Sequence, residues 1–143
     1  MSPSKVRFNH MELTMAPGAL DEQARADIDA FYGDVFGWEG KDVPILGQMG
    51  HFIRVDDDQF LLLTEQRKHL HSPGYDHLGL LMDTRAEVDA HLEHCKEWQQ
   101  RDDRVQIKEY DDLVTGSTVV RAFYVRYLLP IWFDVQVIER TES

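Results

Sequence analysis

Residues 6–15, VRFNHMELTM, alternate in polarity: Phe8, His10, Glu12 and Thr14 fall on one side of an extended chain, Met11, Leu13 and Met15 on the other. The pattern predicts a strand with one polar face. After the APGAL break, Ile28, Phe31, Tyr32 and Val35 recur at helical spacing, with acids near the start and Gly37 where a left-handed closing residue is favoured. A helix from about Asp21 to Phe36 is expected. WEGKDVPI, GHFIRVDD and QFLLLTEQ then read as three shorter strands, the last two joined by an Asp-rich turn at Asp56–Asp58.

The second half repeats this order. YDHLGLLM reads as a strand, and Thr84 followed three residues later by Glu87 is a capping-box signature. It opens a helix whose buried stripe is Val88, Leu92, Cys95 and Trp98. RVQIKEYDDL, STVVRAFYVRYL and IWFDVQVIER supply three further strand-like runs. The chain therefore reads as a single domain of two βαβββ units, about residues 5–67 and 75–140, joined by a charged linker at about 67–74. His10 and His77 open equivalent strands, and residues at matching positions of a repeat can converge on one site.

Composition narrows the function classes. Fifteen Lys+Arg against twenty-six Asp+Glu give a formal charge of −11, which repels a phosphate backbone or an anionic membrane surface, so no nucleic-acid or membrane partner is expected. The single Cys95 excludes an intramolecular disulfide and thiolate zinc sites, and reads as a small core residue rather than a nucleophile. With MSPSKVRFNH lacking an apolar leader core and no run long enough to span a bilayer, a cytoplasmic location is expected. His69 and His71 lie in the linker, where solvation is the expected state.

FNHMELTM, the helix ending DAFYGDVFGWE, the YDHLGLLMD strand and the final WFDVQVIE, in that order and across nearly the whole chain, resemble the vicinal-oxygen-chelate superfamily of glyoxalases, extradiol dioxygenases and bleomycin- and fosfomycin-resistance proteins. The resemblance implies an α+β fold in which the two βαβββ units form a half-open barrel of curved sheet with helices outside. Metal-dependent members place ligands on the first and fourth strands of each unit. On that basis His10 and His77 match the two first-strand ligands. Homodimers are common in the family, and a homodimer is the implied assembly.

The fourth strands depart from the pattern. In FLLLTEQ a leucine, Leu61 or Leu62, stands where a Glu ligand would sit. In IWFDVQVIER the candidates are Asp134 and Gln136, which share a face by the period of two. His10, His77 and Asp134 would compose a two-histidine, one-carboxylate set suited to Fe, with Ni, Zn or Mn as alternatives acting as a Lewis acid. Glu12, one step along from His10 on the same face, is a candidate general base or substitute ligand. Arg54, Arg121, Tyr124 and Trp132 are candidates for substrate contact, the arginines for an anion and Trp132 for stacking on a planar group. Two functions follow: a divalent-metal lyase, isomerase or dioxygenase acting on a small molecule with adjacent oxygens, or a metal-free small-molecule binder of the bleomycin-resistance type. The paired histidines favour the first and the leucine at the fourth strand favours the second.

Overall fold

The computed structural model describes residues 5–141. Residues 1–4, part of the stretch read as lacking a leader core, lie outside them. Two compact units divide the chain, one ending at Leu70 and one beginning at His71. The fold is α+β, two tandem βαβββ-like units with helices on the outside of mixed sheet.

The first unit runs β1 (His10–Met15), α1 (Glu22–Phe36), β2 (Glu39–Ile45), β3 (Gln48–Asp56) and β4 (Gln59–Glu65). Its sheet order is β1-β4-β3-β2, with β1 parallel to β4 and the other pairs antiparallel. The first strand begins at His10 rather than at residue 6 because its partner β4 begins at Gln59, so Val6 and Phe8 have no neighbouring strand and are exposed. Asp21 caps α1 by accepting from the Ala24 amide. Gly37, at φ 73°, closes it: the Gly37 and Trp38 amides donate to the Gly33 and Tyr32 carbonyls. That closure sets Trp38 against Tyr32, with ring centroids 5.8 Å apart and nearly parallel. Ile28, Phe31, Tyr32 and Val35 of α1, with Leu13, Ile53, Leu61 and Leu63 of the sheet, form the buried core. Each such side chain contributes roughly 1.5–3 kcal/mol by leaving water.

One polar group interrupts that core. His51, on β3 in register with Leu63, is 1% exposed, and its two ring nitrogens lie 2.5 Å from Asp29 of α1 and 2.8 Å from Asp42 of β2. Asp42 also accepts from Arg25 of α1. The chain thus ties helix to sheet through a buried imidazole. Gly40 is required beside it, since a Cβ there would overlap the Asp29 carboxylate.

The second unit runs β5 (His77–Leu81), α2 (Arg85–Arg101), β6 (Gln106–Glu109), β7 (Leu113–Thr115), β8 (Thr118–Arg126) and β9 (Trp132–Arg140). Its order is β5-β9-β8-β6, β5 is parallel to β9, and β7 pairs with β8. Thr84 caps α2 through the Glu87 amide, as the capping box predicts. Val88, Leu92 and Cys95 are buried along it, while Trp98 is only half-buried beneath the Arg101 guanidinium. RVQIKEYDDL is not one strand. It breaks at Tyr110–Asp112 because Arg85 of α2 pairs with Asp112 and Arg121 donates to the Tyr110 carbonyl, which draws those residues off the ladder. Burial pushes the Cys95 thiol up to about 12, consistent with an inert core thiol. No helix among the described residues is long and apolar enough to cross a membrane.

Replacing His51 by Ala removes the imidazole that lies between the Asp29 and Asp42 carboxylates. Both carboxylates are partly exposed, so the expected loss of unfolding free energy is about 1–3 kcal/mol, read from urea denaturation.

Candidate functional site

In the second unit the period of two along β9 sends Phe133, Val135 and Val137 into the helix-facing core, all 3% exposed or less. Trp132, Asp134 and Gln136 therefore face the other way. Asp134 is nevertheless 7% exposed, and its Oδ1 is buried with no hydrogen-bond partner among the described residues. Burial pushes its carboxyl above the usual carboxylate range, with the neighbouring His77 pulling the other way. An orphaned buried carboxylate oxygen is costly and calls for a donor or a cation.

The parallel β5–β9 register sets His77 opposite Trp132 and Gly79 opposite Asp134. The glycine carries no side chain between the imidazole and the acid, and His77 Nε2 lies 3.7 Å from Asp134 Oδ2. That is too long for a hydrogen bond. Donor atoms held at about 2.0–2.2 Å by one cation are themselves about 3.0–3.5 Å apart, so a small side-chain rotation would fit the pair to a metal. The His77 ring is held in place: Nδ1 lies 2.9 Å from the Tyr75 carbonyl, which only accepts, so Nδ1 donates there and Nε2 is the nitrogen turned toward Asp134. Gln136 lies one row further along, opposite Leu81.

Aromatic rings surround this pair. The Tyr124 ring is 4.6 Å from His77, and Tyr124 packs on Tyr110 at 4.7 Å and Tyr75 on Trp132 at 5.1 Å. Burial, then the Asp134 charge, then Tyr110 raise the Tyr124 phenol above its ordinary value, so it remains an O–H donor, 3.5 Å from His77 Nε2. Lys108, in register with Tyr124 on β6, holds its ammonium 5.6 Å from the ring centres of both Tyr75 and Tyr110. Arg126 lies over Trp132 at 4.7 Å and is tied to Gln106.

In the first unit His10 is held in the same way. Its Nδ1 donates to Asn9 Oδ1 at 2.7 Å, and Asn9 is fixed by its own amide, which donates to the Asp58 carbonyl. His10 stacks on Phe60 at 4.8 Å, and Phe60 on Phe52 at 4.7 Å. Glu12 shares the His10 face, opposite Leu62, and accepts from the buried Thr64 hydroxyl at 2.7 Å. Leu62, not Leu61, is therefore the leucine on that face. A cavity of about 490 Å³ adjoins it, lined by Lys41, Phe52, Arg54 and Phe60 among others.

The sequence-derived candidates sort accordingly. His77, Asp134, Tyr124 and Trp132 come together on one face of the second unit, and His10, Glu12 and Arg54 on one face of the first. Arg121 does not join them. It sits in register with Val137 on the helix side, where its guanidinium binds Asp89 of α2 and the Tyr110 carbonyl. Arg54 is exposed and paired with Asp57. Tyr75, Tyr110, Lys108 and the supporting Asn9 and Thr64 went unread in the sequence. Alternation carried a signal for two of them, since Tyr75 lies two residues before His77 and Lys108 two before Tyr110. Among the described residues no three His, Cys, Asp or Glu side chains are grouped so as to hold an ion. The second unit thus offers two ligands, and a metal there needs more.

No family model and no curated protein matches the chain. Solved structures do. The FosX fosfomycin resistance protein of Listeria monocytogenes aligns over 94% of this chain and 91% of its own, at 19% identity and a TM-score of 0.64. A variant of FosX complexed with Mn(II) and 1S,2S-dihydroxypropylphosphonic acid aligns over 92% and 90%, at 17% and 0.62. A Bacillus anthracis protein provisionally assigned to the glyoxalase family aligns over 97% and 100%, at 12% and 0.61. At these identities the likeness establishes the fold, and the resemblance read from the sequence is upheld at that level.

Because the folded-state value of Asp134 lies above its unfolded value of about 3.9, its contribution to stability is present below that value and lost as pH rises through the folded one. Asp134→Asn is therefore expected to raise the thermal unfolding temperature at pH 7 in the presence of a chelator, and the advantage should vanish as the pH is lowered to about 4. A variant no more stable than wild type at pH 7 would contradict the cost assigned to this carboxylate.

Proposed function

We propose that this chain, which has the vicinal-oxygen-chelate fold, is a divalent-metal-dependent enzyme of the lyase, isomerase or dioxygenase class acting on a small substrate with adjacent oxygens. One observation carries the reading: the partnerless buried oxygen of Asp134 beside the imidazole of His77, whose Nε2 lies 3.7 Å from the other carboxylate oxygen. His77 and Asp134 supply two ligands, an imidazole and a carboxylate, with the remaining positions left for substrate. Fe, Ni, Zn or Mn suits that set. When bound, such an ion supplies Lewis acidity to a substrate oxygen.

The chain's own residues complete the site. The Tyr75 carbonyl fixes the His77 tautomer, and Asn9 does the same for His10. The Tyr124 phenol, held protonated, donates to a substrate oxygen near His77. Lys108 has no carboxylate partner among the described residues and shares the Tyr124 face, so it is free to bind an anionic substituent. Tyr75, Tyr110 and Trp132 offer aromatic surface around the site to a substrate. The FosX ligand, a diol bearing a phosphonate, supports this combination of adjacent oxygens and anion. We further propose that the protein is a cytoplasmic homodimer.

A second reading is favoured by the cavity in the first unit, whose Phe52 and Phe60 rings offer a stacking platform for a flat ligand without any metal. A thermal-shift screen with planar aromatic acids in chelator tests it: stabilisation would support a binding protein, and no shift with any compound would remove that reading.

Elemental analysis after loading with Fe, Ni, Zn or Mn is expected to give close to one metal per chain in wild type and almost none in His77→Ala or Asp134→Ala. Absence of metal from wild type would overturn the enzyme reading.

A further inference from the structure

The strand registers allow the two units to be compared row by row, each within its own sheet. In the second unit His77 is opposite Trp132 and Arg126 is opposite Gln106. The flat Arg126 guanidinium lies 4.7 Å from the centre of the Trp132 ring, and the Gln106 side-chain oxygen accepts from its Nε at 3.0 Å and its Nη2 at 2.8 Å. In the first unit the same row reads His10, Phe60, Arg54, Glu39. There the guanidinium is drawn away, because Arg54 donates to Asp57 in the turn between β3 and β4. The Glu39 carboxylate makes no hydrogen bond or ion pair among the described residues, and both Glu39 and Phe60 line the cavity of about 490 Å³. The second unit thus covers with its own arginine a ring and an acceptor that the first unit leaves open.

We propose that the first-unit cavity binds a flat aromatic acid bearing an amidinium or guanidinium edge; this deepens, and rests on, the metal-free reading of that cavity above. The aromatic part has a surface ready for it. His10 stacks on Phe60 within 6° of parallel and Phe60 on Phe52 within 9°, so a ligand ring lengthens an existing stack. The paired N–H groups of the amidinium donate to Glu39 as those of Arg126 donate to Gln106, and a carboxylate acceptor strengthens those bonds through charge. Asp56 and Asp58 line the same cavity while Asp57 neutralises Arg54, so this end disfavours a simple anion and favours a cationic edge. The acid group goes to Lys41. Lys41 is opposite Phe52 in the next row, lines the cavity and has no carboxylate partner among the described residues.

With chelator present, the protein is titrated calorimetrically with 4-amidinobenzoate, benzoate and benzamidine. 4-Amidinobenzoate is expected to bind at least about tenfold more tightly than either of the others, the size of one charged hydrogen-bonded contact. Glu39 and Lys41 are exposed, so Glu39→Ala and Lys41→Gln are expected to unfold at the wild-type temperature without ligand. Glu39→Ala is expected to bind 4-amidinobenzoate no better than benzoate, and Lys41→Gln to bind it no better than benzamidine. Asp57→Ala releases Arg54 to cover Phe60 as Arg126 covers Trp132, and is expected to weaken 4-amidinobenzoate where Arg54→Ala does not. Benzoate binding as tightly as 4-amidinobenzoate in wild type, or full affinity in Glu39→Ala, would overturn this ligand class while leaving a binder of flat acids standing. If none of the three compounds binds, the metal-free reading beneath the proposal falls with it.

Discussion

The parallel pairing of the first strand of each unit against the last is the constraint on which the arrangement depends. A strand side chain points to one face or the other with period two, so a slip of one residue would exchange core and site. The registers His10↔Phe60 and His77↔Trp132 resist that slip because Leu13, Leu61 and Leu63 in one unit and Phe133, Val135 and Val137 in the other have a helix to bury against. Hydrophobic burial on one face thereby positions the polar groups on the other. His77 and Asp134 meet because Phe133 and Val135 must not.

The second consequence is electrostatic. A chain of formal charge −11 has little reason to bury another carboxylate, yet Asp134 is buried with one oxygen unpartnered. His51 shows the opposite solution on the helix side of the first unit, where a buried polar group has a partner on each ring nitrogen. The first lacks a donor for one oxygen among the described residues, and the second is part of the framework. His10 and His77 each have Nδ1 committed to an oxygen, that of the Asn9 side chain and of the Tyr75 carbonyl.

Much of this was legible in the chain. The Thr84–Glu87 box, the Gly37 closure and the spacing of Ile28, Phe31, Tyr32 and Val35 act over one or two turns, and local signals of that kind survive in a linear reading. The repeat and the matching of His10 with His77 were legible because both are statements of order. Arg121 was legible as a strand residue but not as a partner of Asp89, since its face depends on the register with β9. The break at Tyr110–Asp112 depends on Arg85, far away in sequence. His51 and Lys108 gave no linear sign of their surroundings, because their neighbours come from other elements.

By itself, then, the sequence determined the elements, their order, the duplicated unit and the residue types able to bind a metal, because propensity, capping and periodicity are short-range. Only the tertiary structure decided which of those residues meet. It put Asp134 rather than Gln136 beside His77, turned Arg121 to the helix, set Leu62 opposite Glu12 and brought the Tyr124 ring against His77. Those choices depend on strand register and on the cost of burying charge, and both exist only once distant segments have packed together.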